Sequence, residues 1–210
     1  MIKNIFYISK ILFLKLILCT TLLASDVIIP PQKPKDENIN MINYNSHKKE
    51  WDLKSYKTYV VSSVPGEVIY GDKFRFLIEK KKGCNTVAPL FTFMTTMPNK
   101  TIYEIEGRNI PIKINNKKLT AKVEYIRPVF EKWGYWVFFS LDYSNLNEYS
   151  VELMKNFKKN NKFEIRIIDG LNFNAKQYFD ILSNNWDLNE YPNEIKKAYL
   201  MCKDLALSKS

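Results

Sequence analysis

Phe163-Glu164-Ile165-Arg166-Ile167-Ile168-Asp169-Gly170 alternates apolar and charged side chains and then breaks at an Asp-Gly pair, the pattern of a half-buried strand ended by a turn. Downstream, Ala175, Tyr178, Phe179 and Leu182 recur at helical spacing. A second helix is predicted from Pro192, a residue suited to the first helical position, with Glu194 in the first turn. Ile195, Ala198, Tyr199 and Cys202 share one face of it, so the cysteine points toward whatever the helix covers. The stretch from Phe163 to Cys202 therefore reads as a strand-and-helix clasp that closes a β-rich domain.

Upstream of the clasp, alternation dominates. Ile110, Ile112 and Ile114 alternate with Pro111, Lys113 and Asn115, and Leu119, Ala121, Val123 and Tyr125 alternate with Thr120, Lys122 and Glu124. Asn116-Lys117-Lys118 joins the two runs into a hairpin, with Pro111 arguing for an edge strand. Phe74, Phe76 and Ile78 mark another half-buried strand after Gly71-Asp72; Tyr56 to Ser63, Pro89 to Met97 and Ile102 to Glu106 read as further strands. Trp133 to Leu141, dense in aromatic and branched residues, reads as a central strand. Val151, Met154 and Phe157 predict a short amphipathic helix within Asn145 to Asn161. The expected fold is mainly β with C-terminal helices, an antiparallel β-sandwich or barrel-like single domain over residues 51–210.

At the other end, Lys3, Lys10 and Lys15 lead into an apolar run, Leu16 to Ala24, of signal-peptide length with small residues at Ala24 and Ser25. Residues 1–25 are expected to be a cleaved signal peptide; an uncleaved anchor is the alternative, although the lysines keep the run short of a membrane span. Pro30, Pro31 and Pro34, followed by polar sequence without period, make residues 26–50 a flexible linker carrying the only histidine, His47. Export places the protein in the periplasm of a Gram-negative bacterium or outside it.

Loss of Cys19 with the signal peptide leaves Cys84 and Cys202, which in an oxidising compartment have one possible pairing. Removing the three leader lysines lowers the net charge from +10 to +7, so the mature chain stays basic. Exported proteins rarely meet nucleic acid, and the excess charge suits an anionic envelope component or an acidic protein partner. Lys80, Lys81 and Lys82 form a basic loop that could hold an anion, and Trp133 with Tyr135 are the aromatics most suited to a binding surface.

No glycine-rich phosphate loop, histidine-cysteine cluster or close cysteine pair occurs, so the residues give no catalytic centre, metal site or cofactor site. The remaining enzymatic possibility is an envelope hydrolase or sugar-processing enzyme built on paired carboxylates drawn from Asp142, Glu148 and Asp169. The order of Leu153-Met154-Lys155, Lys162-Phe163-Glu164-Ile165-Arg166, Asp169-Gly170, Phe173, Tyr178 and a late Cys202 resembles the invasion-associated locus B family of small exported proteins. The resemblance implies a periplasmic β-sandwich-like domain with no catalytic residues to carry over.

Overall fold

Among the described residues ten strands form one antiparallel sheet in the order β1-β2-β3-β4-β7-β6-β5-β9-β10, with β8 added beside β4. The computed structural model describes residues 50–69, 71–96, 101–129 and 134–207. The strands are β1 (Asp52–Ser55), β2 (Tyr59–Pro65), β3 (Lys73–Glu79), β4 (Thr86–Thr95), β5 (Asn109–Ile114), β6 (Lys117–Pro128), β7 (Tyr135–Ser140), β8 (Ser144–Asn145), β9 (Phe163–Ile167) and β10 (Ser183–Trp186). The helices are α1 (Leu146–Asn160), α2 (Ala175–Tyr178) and α3 (Tyr191–Leu207). The expected signal peptide and all but the last residue of the linker, His47 included, lie outside the described residues.

The sheet curls without closing. Phe74 on β3 stacks on Phe163 of β9 at 5.0 Å and meets Trp186 of β10 at 5.7 Å, although neither strand neighbours β3 in the sheet. Rings from β3, β4, β7, β9 and β10 fill the concave interior because alternation sends every second residue there. Phe74, Phe76, Phe91, Phe93, Phe139, Phe163 and Trp186 are all buried. Burying so many large rings is the main stabilising contribution, each worth about 1.5 to 3 kcal/mol relative to exposure.

The three helices among the described residues pack on this inner side. Leu153 and Phe157 of α1, Ala175 and Tyr178 of α2, and Tyr191, Ile195 and Ala198 of α3 belong to the same core. Asn145 caps α1 by accepting hydrogen bonds from the backbone N–H groups of Asn147 and Glu148 at 3.0 and 3.3 Å, and left-handed Asn161 ends it. Trp51 stacks on Phe76 at 5.9 Å. Cys202 of α3 is bonded to Cys84, with Cα atoms 5.9 Å apart and 118 positions separating them.

Several local expectations are corrected. Ile102–Ile105 is a 3-10 turn rather than a strand, because Ile102 and Ile105, three apart, are both buried. β5 is not an edge: it sits between β6 and β9, and Pro111 is tolerated because its pairing with β9 starts only at Ile112. The predicted helix from Ala175 to Leu182 stops after one turn, with Phe179 extended and packed on Phe93 and Phe139. The chain then forms β10, between the two stretches read as helical.

Candidate functional site

On the convex side of β2, β3, β4, β7 and β6 no helix packs among the described residues; Arg75, Leu90, Tyr125 and Phe138 are half-buried there, while Ser63, Ala88 and Thr92 are buried. Register places Arg75 of β3 beside Leu90 of β4, Thr92 of β4 beside Phe138 of β7, and Phe138 beside Tyr125 of β6. Tyr125 reaches this side through a β-bulge. Val123 pairs with inward Phe139, and the irregularity between Val123 and Tyr125 turns Tyr125 outward, so its ring stacks on Phe138 at 4.1 Å. Simple alternation had put Val123 and Tyr125 on one face.

Arg75 is the centre of this platform. Its guanidinium carbon lies 5.6 Å from the Phe138 ring centroid. Nη1 donates to the Lys73 carbonyl at 3.3 Å and to Thr92 Oγ1 at 3.4 Å; Nε and Nη2 have no partner among the described residues. No carboxylate stands within ion-pairing distance of it among them. Burial pulls its pKa down, opposed by the nearby Tyr125, Asp72, Tyr56 and Asp52. On the other flank Tyr56 stacks on Tyr59 at 4.6 Å, and burial, with Tyr56 beside it, pushes the Tyr59 hydroxyl up. Burial likewise raises Tyr125, with Arg75 and Arg127 opposing. The Tyr125–Phe138 pair thus lies beside the Arg75 guanidinium, and the Tyr56–Tyr59 pair lies further along the same face, where Tyr59 pairs with Glu79 at the far end of β3.

Acids share the surface. Glu124 accepts from Ser140 Oγ and pairs with Lys122 at 3.1 Å, and Asp52 pairs with Lys54 at 3.2 Å. Behind the platform lies a second polar cluster at the end of the sheet. Asp72 is fully buried; Oδ1 accepts from the Met94 N–H at 2.7 Å and Oδ2 from Asn184 Nδ2 at 2.9 Å. Burial pushes its pKa up to about 7, against the two donors and Arg75, with Asp180 adding to the rise. Asn184 also donates to the Ile69 carbonyl and accepts from the N–H groups of Val68 and Asn185. Both Asp72 oxygens are thus engaged, and the group is enclosed.

The residues singled out from sequence fall in separate places. Lys80, Lys81 and Lys82 form a 3-10 turn beside the disulfide. Lys82 Nζ lies 3.2 Å from the Tyr143 ring centroid and 3.7 Å from Glu79, which accepts from the Tyr143 hydroxyl at 2.9 Å; Lys81 is exposed. Tyr135 starts β7 at the opposite end of β4, roughly 30 Å away along a ten-residue strand, and packs edge-on against Tyr103 at 5.6 Å. Trp133 lies outside the described residues. The basic turn and Tyr135 are therefore not brought together, and Tyr135 follows the inward parity of Val137 and Phe139.

Asp142, Glu148 and Asp169 are all exposed and no hydrogen bond joins any two of them; Asp169 Oδ1 accepts from the Ala175 N–H at 2.8 Å, a turn-forming role. Among the described residues no group of three metal-ligating side chains occurs, and no helix is long and apolar enough to cross a membrane. Sequence reading missed Arg75 and Tyr125. The available signal was Arg75-Phe76 inside a strand with one inward aromatic row, which fixes Arg75 outward, and the run Tyr125-Ile126, where apolar alternation skips a step. Comparison with family models, with curated proteins and with solved structures finds no match to this chain.

Proposed function

We propose that this chain is an exported binding protein of the cell envelope, acting in the periplasm or outside the cell through the convex platform around Arg75 rather than through the basic turn at Lys80. The observation that carries the reading is the Arg75 guanidinium, set over Phe138, whose ring stacks on Tyr125, with Nε and Nη2 without a partner among the described residues. The Arg75 guanidinium is half-buried, so a ligand acceptor that replaces water on Nε and Nη2 forms charge-assisted hydrogen bonds in a setting of weaker solvent screening. The bonded Cys84 and Cys202 pair suits an oxidising compartment, and the likeness of the last third to invasion-associated locus B proteins suits the same setting.

Affinity capture from envelope extract tests the reading. Wild-type protein should retain a component that a Tyr125→Ala, Phe138→Ala double variant, folded by circular dichroism, does not. Equal capture by both, or none by either, overturns it.

A further inference from the structure

Resting on the reading that the convex platform binds, we propose that its ligand is an acidic glycan carrying one carboxylate among neutral sugar units. The carboxylate would sit on Arg75 and the flanking sugars on the two ring pairs.

Three features point to this class. Arg75 offers Nε and Nη2, the adjacent edge of a guanidinium that suits a carboxylate in two parallel hydrogen bonds, and these two nitrogens have no partner among the described residues. Its other edge is pinned by the Lys73 carbonyl and Thr92, so the free edge is held in place before the ligand arrives. Aromatic rings share the surface, Tyr125 stacked on Phe138 beside Arg75 and Tyr56 stacked on Tyr59 further along β2, offering apolar planes to the C–H faces of sugars and phenolic hydroxyls to their oxygens.

Charge distribution separates this ligand from a denser polyanion. Asp52 and Glu124 lie on the same surface as Arg75, and the nearby lysines Lys54 and Lys122 are already paired with them. A single-stranded nucleic acid, or a glycan charged on every unit, would bring anionic groups against those carboxylates. Spaced carboxylates avoid them while one still reaches Arg75. Ring stacking alone would also admit bases, so the acids on the platform decide between the two classes.

Titration calorimetry of the whole protein with a hyaluronan oligosaccharide, which alternates acidic and neutral sugars, tests this. A neutral chito-oligosaccharide, an oligogalacturonate and an oligothymidylate of matched length serve as comparisons. Hyaluronan should bind, the neutral glycan about tenfold or more weaker, and Arg75→Gln should remove that difference. Phe138→Leu should weaken acidic and neutral glycans alike. Preference for oligothymidylate or oligogalacturonate, equal binding of the neutral glycan, or undiminished acid preference in Arg75→Gln overturns the proposal. Because the wild-type comparison alone decides the ligand class, poor folding of a variant does not rescue it. If no glycan binds while the envelope capture still depends on Tyr125 and Phe138, the ligand class falls and the binding role stands.

Discussion

Asp72 and Asn184 lie 112 positions apart and meet inside the protein, the amide Nδ2 donating to carboxylate Oδ2 at 2.9 Å. That contact joins the start of β3 to β10 across the gap where the curled sheet leaves its path open. A main-chain bond from the Glu67 N–H to the Asn185 carbonyl at 2.8 Å reinforces the junction. Asn184→Leu removes the donor to Asp72 and the acceptor used by Val68 and Asn185 while keeping the volume. It should lower unfolding free energy by about 2 to 4 kcal/mol, read as a shift of the urea midpoint at unchanged slope.

The same carboxyl makes stability depend on pH. Burial lifts Asp72 from its ordinary 3.8 to about 7 in the folded protein. Between those values the folded chain holds a proton that the unfolded chain releases, so stability is greatest on the acid side and falls as pH rises through the window. The loss is on the order of 4 kcal/mol. Asp72→Asn carries no such proton and should flatten this part of the pH profile relative to wild type. Urea midpoints measured across the window for both proteins check it, and parallel profiles would remove Asp72 as the cause.

Phe138 and Phe139 are chain neighbours on opposite sides of β7. Phe139 is 1 % exposed and stacks on Phe91 at 4.7 Å, so Phe139→Ala should cost about 3 to 5 kcal/mol. Phe138, half-buried against Tyr125 and Arg75, should cost only about 1 kcal/mol as Ala and leave the fold intact. Thermal melts of the two variants decide the facing of the platform, and equal losses would refute it.

Cys84 and Cys202 should not react with maleimide in denatured, unreduced protein. Replacing both by alanine should lower stability by about 2 to 4 kcal/mol, since the closed loop of 118 positions restricts the unfolded chain. Maleimide on Cys84 or Cys202 in the unreduced sample, located by peptide mass so that Cys19 is not counted, would sink the claim.

Much of the fold was legible in the residues. The alternation of Phe163, Ile165 and Ile167 and of Ile110, Ile112 and Ile114 marked β9 and β5, and the face holding Cys202 pointed to its bond. Three features were hidden for physical reasons. β10 reads Ser-Asn-Asn-Trp, which looks like a loop, because its inward position at Asn184 is satisfied by hydrogen bonding to Asp72 rather than by an apolar side chain. Pro111 suggests an edge only if pairing is assumed to run the whole strand, and here it stops one residue short. Tyr125 looked like a core residue because a strict period of two has no means of showing a bulge. The facing of Arg75 was legible from alternation, but its meeting with Phe138 and Tyr125 was not, since that depends on register between strands distant in sequence.

The covalent bond between Cys84 and Cys202 also sets how the molecule would carry tension. A pull applied at the two ends runs through β1, β2 and β3 to Cys84, crosses the sulfur atoms to Cys202 and leaves by the last turn of α3. Strands β4 to β10 lie in a shielded loop that force does not enter. From Trp51 to Cys84 the loaded segment extends at most roughly 120 Å, after which the molecule is taut. Tyr56, Tyr59 and Arg75 sit in the loaded segment, while Tyr125 and Phe138 sit in the shielded loop. Stretching would part the two halves of the platform while leaving the central strands in place, making grip on a ligand sensitive to mechanical load.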